Sequence, residues 1–182
     1  MTSKNFQVKF VLYIKLGKSI SSDKKLLDNY LNSIEVHNTN MLNNHYYESG
    51  FDLYHIDKKN NIKFAIGEAQ IIYLDIKCAC YKFENIHPKK IPVYKTISES
   101  YKRYILKSVK SSPLKIVPIN SICEEGFLLA NSPGIIDSSY RDTLFIPLYS
   151  MQNNNLLKYG NRYVKICMPG LERFLIKVVE DL

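Results

Sequence analysis

An acidic and an aromatic side chain stand close together in the segment ANSPGIIDSSYR, Ala130 to Arg141. Asp137 follows two isoleucines, which are typical of a strand, and Tyr140 comes three residues later. This order places a carboxylate and a ring at the mouth of a loop, the arrangement of a binding or catalytic pocket. The alternative is a solvated turn aspartate beside a half-buried strand tyrosine. The residues alone leave both interpretations open.

The same segment resembles the third conserved motif of trimeric dUTPases, which is roughly Gly-hydrophobic-Ile-Asp-x-x-Tyr-Arg-Gly. ESGFDLY at Glu48 to Tyr54 is similar to the first motif of that family, and YGNRYVKICMPGLERF at Tyr159 to Phe174 is similar to the fourth. VPINS at Val117 to Ser121 stands where the family carries Pro-Arg-Ser-Ser or Pro-Arg-Ser-Gly. The resemblance covers roughly the last three-quarters of the chain, in the style of dUTPases from large DNA viruses.

The resemblance implies an all-β fold, a distorted jelly roll or β-barrel of the dUTPase type. It also implies a homotrimer in which each active site combines motifs from adjoining subunits. At 182 residues without an internal linker, the chain is expected to form one domain. We expect a strand and one short helix insertion within residues 1–45 and a motif-bearing β core over 46–182.

The resemblance further implies how each residue would act on dUTP. A water activated by Asp137 would attack the α-phosphate to give dUMP and pyrophosphate, with Mg²⁺ held by the nucleotide phosphates and by no protein ligand. Tyr140 would lie against the deoxyribose and exclude a 2′-hydroxyl. The remaining nucleotide-binding and supporting positions are Ser121, Asn131, Gly134, Ile136, Lys165, Asp52 and Arg162.

Several positions depart from the family pattern, and most of them weaken phosphate binding or closure of the site. Ile119 and Asn120 replace the arginine and the first serine of the second motif, and Asp142 replaces a glycine. Losing one positioned charge-assisted donor costs about 2–4 kcal/mol of transition-state stabilisation. Lys165, where the family has glutamine, could supply a replacement cation. A catalytic member would also continue past Leu182 into a glycine-rich arm that closes over the nucleotide.

Two functions therefore compete. The first is a protein with a degraded active site, a structural or interaction trimer, for example a component of a virus particle, with residual deoxynucleotide binding. The second is an active or weakened dUTP diphosphatase in which Lys165 or Lys115 replaces the lost arginine. A third, weaker hypothesis is a nucleic-acid-binding module, suggested by cations interleaved with tyrosines, namely Tyr101, Lys102, Arg103, Tyr104, Lys107 and Lys110.

Composition limits the surroundings of the protein more than its activity. The net charge of +8 favours polyanionic partners, although part of it reflects A/T-rich codon usage. Four cysteines without a C-x-x-C pair and no apolar run of about 18 residues predict a reduced, cytoplasmic protein without a membrane span. The histidines show no metal-binding spacing, namely His37, His45, His55 and His87.

Hydrophobic periodicity predicts the elements that would position these residues. Strands are expected at 6–16, 71–81 and, beyond residue 113, at 114–119, 127–130, 143–149, 163–168 and 174–179. A helix is expected from a cap at Ser22 or Asp23 through Ile34, followed by a polar loop from His37 to His45. Segments 49–56 and 62–66 are predicted to form a hairpin, and residues 84–113 receive no assignment.

Overall fold

The computed structural model describes residues 8–43, 48–57, 62–86 and 109–182, which are mostly β-structure. Three helices are described: α1 (Lys18–Ser21), α2 (Lys24–Asn43) and α3 (Asn120–Glu124). The first strands are β1 (Val8–Leu16), β2 (Gly50–Tyr54), β3 (Lys63–Phe64), β4 (Ala69–Tyr73), β5 (Ile76–Ile86) and β6 (Val109–Ser112). They are followed by β7 (Leu114–Pro118), β8 (Phe127–Leu129), β9 (Gly134–Ile136), β10 (Phe145–Ser150), β11 (Asn155–Leu156), β12 (Arg162–Cys167) and β13 (Phe174–Val178).

These strands form three main sheets and one two-stranded ribbon. Sheet I has the order β13-β1-β5-β6, sheet II has β2-β12-β7-β9, sheet III has β4-β10-β8, and β3 pairs with β11. Every pairing is antiparallel except that of β1 with β13. The described strands do not close into a barrel.

One apolar core joins all three sheets. Leu12 and Ile14 of sheet I, Val164 and Ile166 of sheet II, and Leu148 of sheet III are at most 1 % exposed within the same cluster. Sheet I is also buried on its other face, where β1 and β5 contribute Val11, Tyr13, Ala79 and Tyr81 to a second cluster. The three sheets are therefore held as one packed body.

Helix α2 is much longer than the sequence predicts. Asp23 caps it by accepting a hydrogen bond from the Leu26 amide (3.1 Å), as expected, but the helix continues to Asn43, so the predicted loop from His37 is wrong. The side chain of Asn38 bonds both the amide and the carbonyl of Ile176 (2.8 and 2.9 Å), and the His37 ring contacts the Phe174 carbonyl (3.1 Å). These polar side chains complete the outer edge of β13, so their polarity does not mark a loop.

The predicted single strand 71–81 is also wrong, because it is divided between two sheets. β4 belongs to sheet III and β5 to sheet I, and Asp75 breaks the strand with φ +49°. The Gly17 amide bonds the Asp75 carbonyl (2.8 Å), and the Ser19 amide bonds its carboxylate (2.7 Å). Through these two hydrogen bonds Asp75 holds the turn between β1 and α1, and we call this pair of bonds the clasp. Cys78 and Cys80 do face the same side of β5 and are buried, as predicted.

The predicted hairpin of 49–56 with 62–66 does not form. β2 pairs with β12, and β3 pairs with β11, about a hundred residues further along the chain in each case. The strands predicted at 6–16, 114–119, 127–130, 143–149, 163–168 and 174–179 are present within a few residues of their predicted ends. Most of the unassigned segment 84–113 lies outside the described residues. Among the described helices, none has the length and apolar character of a membrane span.

Candidate functional site

A carboxylate and two cations meet on the outward face of sheet II. Asp52 lies opposite Lys165 in the β2–β12 ladder, so both side chains leave the sheet on one side. The Asp52 carboxylate is 3.1 Å from Nη1 of Arg162 and 3.5 Å from Nζ of Lys165. Its side chain is only 20 % exposed, against 54 % for Arg162. All three residues are predicted site residues, and the structure brings them together.

Ser121 joins this group from the start of α3, directly after β7. Its hydroxyl donates a hydrogen bond to the Arg162 carbonyl (2.8 Å), and the Ile119 amide bonds the Tyr163 carbonyl (3.1 Å). Beside them lies an open cavity of about 490 Å³, whose lining residues are Asn29, Tyr54, Ile119, Ser121, Gly160, Asn161 and Arg162. Three of the four segments that resemble dUTPase motifs therefore border one cavity.

Glu125 fixes the wall of this cavity. Its carboxylate accepts hydrogen bonds from the Tyr163 hydroxyl and from the Asn161 side chain, each at 2.7 Å, and lies 3.5 Å from Nζ of Lys158. The Tyr163 hydroxyl also accepts the Lys158 amide (3.0 Å). Burial and this bond to the carboxylate raise the pKa of Tyr163 far above its ordinary value. Glu125 thus ties α3 to the loop that carries Arg162.

The residues of the third motif form a separate group at the end of β9. Asp137 is exposed, and its carbonyl accepts the Tyr140 amide (3.0 Å). The Tyr140 hydroxyl donates to the Thr143 carbonyl (2.9 Å), while its ring packs on the core. Burial, and then the charge of Asp142, raise the pKa of Tyr140 above its ordinary value. Arg141 braces the turn by donating to the carbonyls of Ser138 and Tyr140 (3.0 and 2.7 Å).

The turn before β9 brings Gly134 close to the side chain of Asn131. The Ser132–Pro133 peptide bond is cis, and a Cβ atom on Gly134 would lie 3.3 Å from Nδ2 of Asn131. These two positions, which the resemblance assigns to nucleotide binding, are therefore neighbours. Ile136, at the end of β9, is half-buried against the core.

The two groups lie at opposite ends of β7 within one chain. Ile136 pairs with Leu114 at the beginning of β7, so Asp137 lies beyond that end, whereas Ser121 follows the other end. Five strand residues span about 16 Å. The structure therefore brings Asp52, Ser121, Arg162 and Lys165 together and keeps Asp137 and Tyr140 apart from them.

A second, larger cavity of about 760 Å³ lies elsewhere, between α1, the segment after β2 and the free edge of β4. His55 lines it, is 2 % exposed, and neither ring nitrogen has a hydrogen-bond partner. Burial lowers the pKa of His55. The motif positions do not line this cavity, so its size does not make it the preferred site. Among the described residues, no cluster of three or more histidine, cysteine or acidic side chains could hold a metal ion.

Sequence reasoning missed several residues of the smaller cavity. Asn29 reaches it from α2, Tyr54 ends β2, and Asn161 precedes Arg162. Tyr54 is held by two contacts with α2: its amide bonds the Tyr30 hydroxyl (2.9 Å), and its own hydroxyl lies 3.0 Å from that of Ser33. Tyr54 and Asn161 fall inside quoted motif segments, but Asn29 gives no local signal because its role depends on how α2 packs.

Comparisons with known proteins give little more. No protein-family model matches the chain, and no curated protein sequence matches it. Among solved structures, the native EIAV dUTPase is similar with a TM-score of 0.42 and 17 % sequence identity, covering 66 % of this chain and 73 % of that one. A likeness at this TM-score bears on neither the activity nor the site residues of this chain.

Proposed function

We propose that this protein is a dUTPase-derived scaffold that associates with itself, no longer hydrolyses dUTP efficiently and retains weak binding of deoxynucleotide phosphates. The observation that carries the proposal is the pairing of Asp52 with Arg162 and Lys165. The two cations that a triphosphate would need are directed at a carboxylate of the same chain. Any phosphate must compete with Asp52 for them.

The second motif supports the same conclusion. Ile119 lines the cavity at the position where the resemblance expects arginine, and an isoleucine side chain offers no donor to phosphate. The Ser121 hydroxyl already donates to a main-chain carbonyl. Lys115 donates to the Pro169 carbonyl (2.8 Å), so it is turned away from the role of replacement cation. Phosphate recognition is thus reduced to Arg162 and Lys165.

Self-association follows from the same resemblance, which implies a homotrimer, and the split of the motif residues supports it. Asp137 and Tyr140 can meet the group around Asp52 only if they come from another copy. A scaffold keeps this assembly after the chemistry is lost, because packing and catalysis depend on different residues. Other proteins of a larger assembly, such as a virus particle, would be its further partners.

A weakened dUTP diphosphatase remains the second candidate, and one observation favours it. The Asp137 carboxylate is exposed and makes no hydrogen bond or ion pair with any other described residue. It is therefore free to hold a water molecule. Mg²⁺ would be held by the nucleotide phosphates and would supply charge neutralisation for the leaving pyrophosphate.

Pyrophosphate release from dUTP and Mg²⁺ separates the two candidates. We expect the purified full-length chain to release no more pyrophosphate than its Asp137→Asn variant. An Ile119→Arg, Asn120→Ser variant restores the two lost donors and is the matched gain-of-function arm. Release by the wild-type chain that Asp137→Asn abolishes would reject the scaffold proposal and establish the enzyme.

A further inference from the structure

The outward face of sheet III is apolar across all three strands. In β4 and β10 every outward side chain is uncharged: Ala69, Ile71 and Tyr73 in the first, and Phe145, Pro147 and Tyr149 in the second. Leu128 of β8 continues the surface beside Tyr149. We call this surface the apolar face. Tyr73 is 62 % exposed, Ile71 56 % and Phe145 40 %, so solvent reaches it directly.

The ladder makes these side chains contiguous. Tyr73 lies opposite Phe145, Ile71 opposite Pro147, and Ala69 opposite Tyr149. The rings of Tyr73 and Phe145 are 6.1 Å apart. A contiguous exposed surface of this kind costs solubility, and on soluble proteins it marks a contact with another molecule. Aromatic side chains are also enriched in the centres of protein interfaces.

The outward face of sheet II in the same chain has a different composition. Its outward positions carry the charged Asp52, Lys115 and Lys165 beside the apolar Val117, Ile135 and Cys167. In sheet III the equivalent positions carry no charge at all. The chain has a net charge of +8 and 25 lysines and arginines, so a charge-free face is not a consequence of composition. The absence of charge is therefore a property of the apolar face and not of the chain as a whole.

From these observations we infer that the apolar face is the surface through which two copies of this chain contact each other. Two chains that each carry a net charge of +8 repel each other. A second copy fits this face because contact through it brings no like charges together. An acidic partner, in contrast, would be attracted to the lysine-bearing surfaces.

The position of the third motif supports the same occupant. The Tyr140 hydroxyl donates to the carbonyl of Thr143, two residues before Phe145, so the third motif borders the apolar face. A copy seated there would bring its own surface next to Asp137 and Tyr140. This inference rests on the proposed function in one respect, self-association, and it adds which surface makes the contact.

Molar mass in solution tests the inference. The wild-type chain is expected to show a multiple of 21.2 kDa by light scattering after size exclusion. Tyr73→Lys and Phe145→Lys, each at an exposed position, are expected to shift that mass to 21.2 kDa. Val36→Lys, which alters a 50 % exposed apolar residue on α2, is the matched control and is expected to keep the wild-type mass. A monomeric wild-type chain, or an oligomer that both lysine variants leave intact, would overturn the inference.

Hydroxyl-radical footprinting of the wild-type chain provides a second measurement that does not depend on any variant folding. Tyr73 and Phe145 are expected to be labelled several-fold less at high protein concentration than after dilution, while Leu171, which is 51 % exposed, is labelled equally. Equal labelling of Tyr73 at both concentrations would overturn the inference. This is the result expected if the face binds a membrane or another protein instead of a second copy. An oligomer that contacts through this face and yet hydrolyses dUTP would reject the proposed loss of catalysis while leaving the inference intact.

Discussion

The charged side chains of the candidate site partly neutralise one another within the chain. Asp52 lies between Arg162 and Lys165, at 3.1 and 3.5 Å, and all three leave one face of sheet II. Oδ1 of Asp52 is buried without a hydrogen bond, so the ammonium group of Lys165 stabilises its negative charge by electrostatic attraction alone. Together the three side chains have a net charge of about +1, which is small beside the charge of a triphosphate.

Asp52→Asn is therefore expected to strengthen the binding of inorganic tripolyphosphate. Removing the competing carboxylate leaves both cations available, and a gain of about 1 kcal/mol corresponds to a dissociation constant about fivefold lower. Isothermal titration calorimetry in metal-free buffer measures it. The fold should be little affected, because the substitution keeps the size of the side chain, and the two cations that lose their partner, Arg162 and Lys165, are 54 % and 26 % exposed to solvent.

Asp142→Asn is the matched control for this change of charge. Asp142 is 88 % exposed and lies 3.9 Å from Lys77, away from Arg162 and Lys165. Its substitution is expected to leave the dissociation constant unchanged. Weaker binding in Asp52→Asn would show that this carboxylate takes part in holding the ligand, contrary to the proposal.

At the scale of the elements, Asp75 determines where the residues predicted as one strand, 71–81, divide between β4 and β5. A Cβ atom on Gly17 would lie 2.0 Å from Oδ1 of Asp75, so residue 17 must be glycine as long as the carboxylate stays bonded to the Ser19 amide. The clasp places the beginning of α1 against the corner between β4 and β5. It thereby fixes where sheet III ends and sheet I begins.

A double-mutant cycle on Gly17 and Asp75 tests this clasp. Gly17→Ala is expected to displace the carboxylate and to lower the free energy of unfolding by about 2 kcal/mol, as is Asp75→Ala, because each loses the charge-assisted bond. In the Asp75→Ala background, Gly17→Ala should cost almost nothing. Asp75→Asn, which keeps an acceptor and tolerates a positive φ, should be milder. Urea unfolding measures the wild-type chain and all four variants, and strictly additive costs in the double-mutant cycle would contradict the clasp.

The break at Asp75 also explains why sequence periodicity failed there. Ile72 and Leu74 before it and Ile76 and Cys78 after it all point into the same core, because sheets I and III share that core. The alternation is therefore uninterrupted although the strand is not. Strand positions after residue 113 could be predicted because turns bound them locally, whereas strand partners, such as β2 with β12, depend on residues far apart in the chain.

The candidate site shows the same limit. Motif segments identified Asp52, Ser121, Arg162 and Lys165, because their residue types and order are local information. The reach of Asn29 into the cavity and the link from Glu125 to Tyr163 could not be predicted, since both depend on packing. His37 and Asn38 misled the prediction for the opposite reason, since their polar atoms serve the edge of β13.

At the scale of the whole molecule, two of the described histidines, His37 and His55, are buried and couple its stability to pH. His37 packs against Phe174, with ring centroids 4.7 Å apart, and lies between α2 and β13. His55 follows β2, and its two ring nitrogens have no hydrogen-bond partner. Burial lowers the pKa of both side chains. Both therefore favour a folded state in which they are neutral.

We therefore expect stability to be lost in mild acid. An unfolded histidine has a pKa of about 6.5, so below that pH the unfolded chain binds more protons than the folded one. The contribution is complete above about pH 6.5 and falls by at most about 1.4 kcal/mol per pH unit for each histidine as the pH drops toward the lowered folded pKa. The free energy of unfolding, measured in urea at pH 7.5 and 5.5, is expected to differ by about 2 kcal/mol.

His55→Leu should remove about half of that difference and cost no stability at pH 7.5, because the ring nitrogens make no bond that the substitution breaks. An unchanged pH dependence in His55→Leu would show that this histidine is protonated equally in both states.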